Sequence, residues 1–118
     1  MVEGWFVSLI TSCMVDPVLM TIVSTAEDVR LAIEYGVDGV IISNHGGRQL
    51  DGQPATLDAL RECGPVARGR IPLAIDGGIR SGADIFKALA LGASMCFVGR
   101  IPIWGLAVRL VLLYGGHG

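Results

Sequence analysis

Two residues that could act together on a small acid follow one apolar run of the chain. The run Val40 to Ile42 leads into Ser43-Asn44-His45-Gly46-Gly47-Arg48, so an imidazole and a guanidinium stand three positions apart. An imidazole exchanges protons near neutral pH, and a guanidinium can hold a carboxylate through two parallel hydrogen bonds. A loop histidine alone is more often structural, but the pair His45 and Arg48 is predicted to orient a small carboxylic acid.

Two glycine-bearing loops suggest an anion site. Asp76-Gly77-Gly78-Ile79-Arg80 and Gly99-Arg100 each follow an apolar run and precede a helical pattern. Backbone N–H groups at such glycines can converge on an anion, a helix N-terminus adds positive potential, and arginines can clamp phosphate oxygens. The alternative is that the glycines only form tight turns and the arginines are solvated. Because two such loops occur at corresponding strand ends, we favour a phosphate cradle formed by residues 76–80 and 99–100.

Metal ligands are poorly represented in the sequence. The second histidine, His117, lies in the C-terminal tail, far from His45. The cysteines Cys13, Cys63 and Cys96 are widely spaced among apolar neighbours, as is typical of buried, reduced thiols in an intracellular protein. We therefore predict no metal site and an intracellular location, without a particular compartment.

Composition and charge restrict the class of protein. The chain has 118 residues, 52% of them hydrophobic and 17% charged, with a formal net charge of −2. This composition is that of one folded domain, residues 1–118, and not of a disordered chain. The charge offers no footprint for nucleic acid or an anionic membrane. The apolar stretch Trp5 to Val15 is too short to span a bilayer, so we expect a soluble protein.

The elements that must position these residues repeat in a simple order. Apolar runs of strand type alternate with amphipathic stretches four times; the runs are 18–23, 40–42, 71–75 and 95–98. Continuous apolar strands between helices are typical of a parallel sheet covered by helices. Four such βα units make half of a TIM (β/α)₈ barrel. A doubly wound open sheet is the alternative, which the spacing alone does not exclude.

Local signals predict where the helices begin and end. Ser24 with Glu27, and Ser81 with Asp84, have the spacing of N-terminal caps. Gly64-Pro65 is expected to end or kink the second helix, because proline lacks a backbone donor. The third helix is expected to turn four apolar side chains inward: Ile85, Phe86, Leu89 and Ala90.

The residues from Ser24 to Ala107 resemble the FMN-dependent α-hydroxy acid dehydrogenases, whose members include glycolate oxidase, lactate oxidase, mandelate dehydrogenase and flavocytochrome b2. The string SNHGGRQLD at 43–51 is highly specific to that family. Further matching strings, in the same order and spacing, are Pro54-Ala55-Thr56, Gly69-Arg70-Ile71-Pro72, DGGIRSG at 76–82, KALALGA at 87–93 and Gly99-Arg100. Residues 1–20 and 108–118 diverge.

The resemblance implies an α/β fold that is the C-terminal half of a (β/α)₈ barrel, and the oxidation of a small 2-hydroxy acid to a 2-oxo acid with FMN as cofactor. It implies that His45 is the proton-abstracting base, that Arg48 pairs with the substrate carboxylate, and that Ser43 lies close to the flavin. It also implies that the ribityl and phosphate of FMN are held by Asp76, Gly77, Gly78, Ile79, Arg80, Gly99 and Arg100.

Two departures from the family pattern lower the expected activity. Thr21-Ile22 stands where members of the family carry a lysine-glycine pair. A neutral hydroxyl cannot replace the charge of that lysine, and such a loss typically costs about 10²–10³ in rate. The family's first four strands have no counterpart here. We therefore expect weak FMN binding with little or no turnover by this chain alone.

The missing strands leave two open sheet edges, which favour association. A catalytically silent half-barrel module is therefore the alternative to a diminished enzyme. It would associate with itself or dock with a partner half-barrel. A third possibility is a fragment that does not fold.

Overall fold

The computed structural model describes residues 18–114, which form strands and helices in strict alternation. In chain order these are β1 (Leu19–Val23), α1 (Ala26–Glu34), β2 (Gly39–Ile42), a 3₁₀ turn (His45–Gly47), α2 (Thr56–Ala67), β3 (Leu73–Ile75), α3 (Gly82–Ala90), β4 (Met95–Cys96) and α4 (Ile101–Tyr114). The predicted order of elements is confirmed. The predictions for Trp5 to Val15, Cys13 and His117 lie outside the described residues.

The strands form one parallel sheet in the order β1-β2-β3-β4. The predicted α/β fold with a parallel sheet is therefore confirmed. Within the described residues, each strand pairs with the next one along the chain and the order does not reverse. Crossovers between parallel strands are right-handed, so consecutive crossovers in one direction put their helices on the same face of the sheet.

The core lies between the sheet and these helices. Its largest fully buried side chains are Val23, Val29, Val40, Ile42, Leu60, Cys63, Leu73 and Ile75. In β2 and β3 the buried positions alternate with Ile41 and Ala74, which are only half-buried. Because successive side chains of a strand point to opposite faces, Ile41 and Ala74 belong to the second, more open face.

The first strand contains a bulge. Met20 pairs with Val40, whereas Val23 pairs with Ile42, so β1 has one residue more than β2 over this stretch. Ile22 lies in the extra segment with a φ of 61°. The left-handed region is a genuine outlier for a β-branched residue. The backbone of β1 is therefore strained at Ile22. This residue belongs to the Thr21-Ile22 pair, which departs from the family pattern.

The first and third helices begin with side-chain caps. The predicted cap Ser24 is wrong by one residue: the Thr25 hydroxyl accepts a hydrogen bond from the backbone N–H of Asp28 at 3.2 Å. Thr25 and Asp28 repeat the same spacing one position later, and Thr25 has the extended backbone that a cap needs. The predicted cap of α3 is confirmed, since Ser81 and Asp84 form a reciprocal capping box.

Gly64-Pro65, which was predicted to end or kink α2, does not end it. The helix continues through Pro65 to Ala67 and ends at Arg68, whose φ of 38° is left-handed. Pro65 lies in the last turn, so its missing N–H and its ring affect a single turn of helix, and the rest of α2 is unaffected.

The expected inward face of α3 is also wrong. Ala88 is the buried residue of this helix, whereas Phe86 is 74% exposed. The other three predicted core residues, Ile85, Leu89 and Ala90, are exposed as well. An apolar stripe is buried only where another element covers it, and within the described residues α3 packs mainly against β4. That strand is two residues long instead of the predicted four.

Candidate active site

The loops after β2, β3 and β4 surround one open cleft of about 900 Å³. Parallel strands have their carboxyl ends at the same edge of a sheet, which is where α/β proteins bind ligands. Nine of the ten predicted site residues line this cleft: His45, Arg48, Asp76, Gly77, Gly78, Ile79, Arg80, Gly99 and Arg100. The tenth, Ser43, lines an adjoining cavity of about 380 Å³ together with His45 and Asp76.

Hydrogen bonds between neighbouring residues hold the backbone of the His45 loop. Ser43 is buried, and its hydroxyl accepts a bond from the backbone N–H of His45 at 3.1 Å. The Asn44 side-chain oxygen accepts a bond from the N–H of Gly46 at 3.0 Å. These bonds accompany a left-handed His45, with a φ of 54°. The loop therefore directs the His45 side chain into the cleft while its backbone stays tied to the end of β2.

The cradle after β3 presents unbonded donors. Gly77 and Gly78 have φ values of 83° and 76°, a conformation that glycine adopts without steric cost. In the part of the chain that the structure describes, the backbone N–H groups of Gly77, Gly78 and Ile79 have no hydrogen-bond acceptor. Three successive free N–H groups, with Arg80 in the same loop and Arg100 in the next loop of the cleft, suit an anion. The phosphate cradle itself stays a prediction.

Asp76 differs from the rest of the cradle because its side chain offers a hydrogen-bond acceptor. Its Oδ1 atom is buried and has no hydrogen-bond partner among the described residues. Its backbone N–H donates to the Ile42 carbonyl at 3.1 Å, which fixes the residue beside the end of β2. A carboxylate in this position repels a phosphate and suits a hydroxyl donor. A ligand that carries both hydroxyl groups and a phosphate therefore fits Asp76 and the glycines together.

The lining residues that the sequence reasoning did not assign to the site include Thr56, Asp84 and Trp104. The guanidinium carbon of Arg100 lies 5.8 Å from the centre of the Trp104 ring, within cation–π range. Arg100 immediately precedes α4, and its four-residue spacing from Trp104 could have indicated this pair. The buried Thr56 donates its hydroxyl proton to the Gly77 carbonyl at 3.1 Å. No local pattern could have indicated that contact, because 21 positions separate the two residues.

The pKa is shifted for one carboxyl group of the cleft and for two cysteine thiols outside it. The hydroxyl of Ser81 and the backbone N–H of Arg80 bond the Asp84 carboxylate and hold its pKa below the usual value. Burial raises the pKa of both Cys63 and Cys96, and Glu62 and Asp28 add to the effect at Cys63. Neither thiol lines the main cleft. The two cysteines are therefore protonated at neutral pH.

Metal and membrane features can be stated for the described residues. Between residues 18 and 114, no three His, Cys, Asp or Glu side chains are grouped as metal ligands would be. None of the helices in the same range combines the length and the apolar character that crossing a membrane requires.

Curated proteins match the chain over most of its length. It is 66% identical to the oxidase FUB9 of Gibberella fujikuroi over 85 residues, which cover 72% of this chain and 24% of the relative. It is 56% identical to the glycolate oxidase of Spinacia oleracea over 93 residues, which cover 79% of this chain and 25% of the relative. The chain thus spans about a quarter of the length of these relatives.

Solved structures agree with these matches. Mandelate oxidase in complex with benzoyl-formic acid superimposes with a TM-score of 0.73 at 46% identity, over 77% of this chain and 27% of that one. A mandelate oxidase variant with the monooxide FMN adduct gives the same TM-score and identity, over 77% and 29% of the two chains. The model of the FMN-dependent dehydrogenase family matches residues 7–110. The chain therefore belongs to the FMN-dependent dehydrogenase family, whose cofactor is FMN.

Proposed function

We propose that this chain carries the FMN phosphate site and the acid-orienting pair of an enzyme that oxidises 2-hydroxy acids to 2-oxo acids. The observation that carries the proposal is the shared cleft: His45 and Arg48 line it together with the glycine cradle. One loop set would hold a small acid, and the other would hold the phosphate end of the cofactor. The relatives named as glycolate and mandelate oxidases support this class of reaction.

We further propose that the described strands form one half of a (β/α)₈ barrel. The sequential parallel order supports this proposal, because a doubly wound sheet reverses its strand order at a switch point. Loops after the last two strands commonly form the phosphate site of a barrel. The loops after β3 and β4, which contain the arginines Arg80 and Arg100, correspond to them.

The residues of the cleft fit FMN. Gly77, Gly78 and Ile79 would donate backbone N–H groups to the phosphate, and Arg80 and Arg100 would neutralise its charge. The unpartnered Oδ1 of Asp76 would accept a hydrogen bond from a ribityl hydroxyl. Gly99 offers space beside Arg100, because a β-carbon there would meet no atom within 4 Å. When bound, FMN supplies the electron acceptor of the reaction.

The chain's own residues would handle the proton and the carboxylate. Oxidation of a 2-hydroxy acid removes two electrons and two protons, and an imidazole nitrogen of His45 would accept one of those protons. Arg48 would pair with the carboxylate and hold the substrate against His45. Ser43, whose hydroxyl fixes the His45 backbone, lines the adjoining cavity and would lie close to the flavin.

Turnover by this chain alone is expected to be weak or absent. His45 and Arg48 are exposed, so water is not excluded from the proposed site. Thr21 lines the adjoining cavity with Ser43 and His45, and a threonine hydroxyl cannot stabilise a developing negative charge as an ammonium does. FMN binding is therefore the more direct test of the proposal.

Equilibrium dialysis of the folded chain with FMN and with riboflavin tests the phosphate site. We expect FMN to be retained more strongly than riboflavin, and Arg80→Ala to remove most of that difference. Arg61→Ala is a matched control, because Arg61 is an exposed arginine of α2 outside the cleft. Equal retention of FMN and riboflavin by a sample with a cooperative melt would contradict the proposal.

A second candidate function is a catalytically silent half-barrel module that assembles with another half. The edges of the described sheet favour it. Val18, Leu19 and Met20 are exposed at the β1 edge, and Phe97 and Val98 are exposed beyond β4. Parallel sheets are normally covered on both faces, and two copies could close eight strands by pairing β4 of each with β1 of the other.

Light scattering at several protein concentrations separates the two candidates. The assembly module predicts a dimer that forms without FMN and does not change when FMN is added. Met20→Lys, at the β1 edge, should weaken such a dimer, because edge lysines oppose strand pairing. Tyr35→Lys is the control, because Tyr35 is exposed at the C-terminal cap of α1, away from the edge. A well-folded monomer at micromolar concentration would contradict self-assembly.

A further inference from the structure

Thr56 is buried at the cleft, and its hydroxyl does not cap the helix to which it belongs. Among the described residues, the buried polar side chains are Ser43 and Thr56, and Thr56 is 5% exposed. It is the first residue of α2, whose N-cap, Ala55, makes no side-chain bond. The Thr56 hydroxyl instead donates to the Gly77 carbonyl at 3.1 Å, across 21 positions of sequence. The hydroxyl therefore acts on the cradle and not on the helix.

That hydrogen bond fixes the direction of one peptide group. The Gly77 carbonyl belongs to the peptide that joins Gly77 to Gly78, and in a planar trans peptide the C=O and N–H bonds point in opposite directions. Holding the carbonyl toward Thr56 therefore holds the N–H of Gly78 away from it. Two adjacent glycines can otherwise rotate this peptide with little steric resistance. The Thr56 hydroxyl removes that freedom.

The segment Pro54 to Thr56, which leads into α2, lies against both the cradle and the His45 loop. A β-carbon on Gly77 would lie 3.2 Å from the Thr56 hydroxyl oxygen, 3.3 Å from its methyl carbon and 3.5 Å from the Asn44 side-chain oxygen. Asn44, which precedes His45, donates in turn to the Pro54 carbonyl at 3.2 Å. The start of α2 thus contacts both loops at the point where they meet.

We propose that Thr56 is a positioning residue, whose hydroxyl holds the Gly77–Gly78 peptide so that the cradle presents its N–H groups to a phosphate. This inference rests on the proposed function, because it assigns the cradle to the phosphate of FMN. It adds a residue that touches neither the proposed substrate nor the phosphate. It also explains why a buried threonine stands where an ordinary helix start would need no buried hydroxyl.

The test compares Thr56→Val, which keeps the shape and loses the donor, with Thr56→Ser, which keeps the donor. We expect Thr56→Val to weaken FMN binding about 2- to 12-fold, the range that one net hydrogen bond contributes. Riboflavin binding should stay unchanged, and Thr56→Ser should restore FMN binding. Thr25→Val is the matched control: it removes a helix-cap hydroxyl away from the cleft, so it should lower stability and leave the ratio of FMN to riboflavin affinity unchanged.

A second readout separates this inference from the proposed function. Inorganic phosphate is titrated while the amide resonances of Gly77, Gly78 and Ile79 are followed by NMR. Phosphate-induced shifts that need a higher phosphate concentration in Thr56→Val than in wild type would support the positioning role even if FMN itself is not retained. If FMN binds wild type and Thr56→Val equally, the positioning role is wrong and the flavin site stands. If neither FMN nor phosphate binds the folded wild type, both proposals are wrong.

A variant that folds poorly would not remove the test. Should Thr56→Val fail to fold, Thr56→Cys replaces it, because a thiol is a weak donor of similar size. We then expect an FMN affinity below that of Thr56→Ser, again with riboflavin binding unchanged. Equal FMN affinities of the Cys and Ser variants would overturn the proposal.

Discussion

Gly64 in α2 lies against the backbone of Leu91, the C-terminal cap residue of α3. A β-carbon added to Gly64 would lie 2.5 Å from the Leu91 carbonyl oxygen. That oxygen belongs to the C-terminal cap of α3 and is followed by Gly92, whose φ is 104°. Because backbone atoms at a cap cannot move as a flexible side chain can, the two helices meet here with no side chain between them.

Gly64→Ala is expected to lower the free energy of unfolding. Overpacking of this kind typically costs about 1–3 kcal/mol, which exceeds the helical preference of alanine over glycine. Urea unfolding followed by circular dichroism measures the change. Gly105→Ala is the control, because a β-carbon at Gly105 in α4 would meet no atom within 4 Å. That variant should gain up to about 1 kcal/mol, and equal stabilisation of both variants would contradict the contact.

Ile22→Gly is expected to raise stability, although it removes an apolar side chain. Ile22 is half-exposed and has a φ of 61°, so its burial contributes little while its backbone is strained. A left-handed conformation costs a residue with a β-carbon about 1–2 kcal/mol, which glycine avoids. We expect a net gain of about 1 kcal/mol or less, since glycine also loses more chain entropy on folding.

The control for this substitution is Leu19→Gly in the same strand. Leu19 is similarly exposed, but its φ is not positive. Glycine at this position should lower the free energy of unfolding, because it relieves no strain. If Ile22→Gly and Leu19→Gly destabilise the chain equally in urea, the bulge at Ile22 does not store strain.

Features that depend on neighbouring positions were predictable from the sequence. The Ser81 and Asp84 capping box needs only a three-residue spacing, and the parallel sheet follows from four apolar runs separated by helices. The cleft was predictable for a related reason, because parallel strands carry their following loops to one edge. This rule places His45 and Gly77 at the same edge of the sheet, because each follows the carboxyl end of a parallel strand.

Features that depend on distant contacts were not predictable. The bond from Thr56 to Gly77 joins two separate βα units, and no local pattern encodes it. The predicted inward face of α3 is wrong for the same reason. The stripe containing Phe86 is apolar, but its burial requires a neighbouring element. The continuation of α2 beyond Pro65 was not predictable either, because the effect of a proline depends on how many helical turns follow it.

The Asp84 carboxylate predicts a defined loss of stability in acid. Its folded pKa lies below the ordinary value of 3.8, chiefly because the Ser81 hydroxyl bonds the charged form. The stabilisation is therefore fully present above the unfolded pKa and is lost as the pH falls through the folded pKa. Ser81→Ala should make unfolding less pH-dependent below about pH 4, measured as urea midpoints at several pH values. An unchanged acid slope would contradict this assignment.

The indole of Trp104 is expected to strengthen phosphate binding through Arg100. The pair lies at cation–π distance, and both residues line the cleft. An exposed pair of this kind contributes about 0.5–1 kcal/mol, so Trp104→Ala should weaken FMN binding about 2- to 5-fold. Trp104→Phe should retain most of the affinity, because a phenyl ring also offers a π face.

Dialysis against FMN and riboflavin measures the effect, which should be confined to FMN since riboflavin lacks the phosphate. Leu106→Ala is the control on the same helix, as Leu106 is similarly exposed but lies outside the cleft. A loss of riboflavin and FMN affinity in equal measure would mean that Trp104 contacts the ring system or supports α4, and not that it orients the guanidinium.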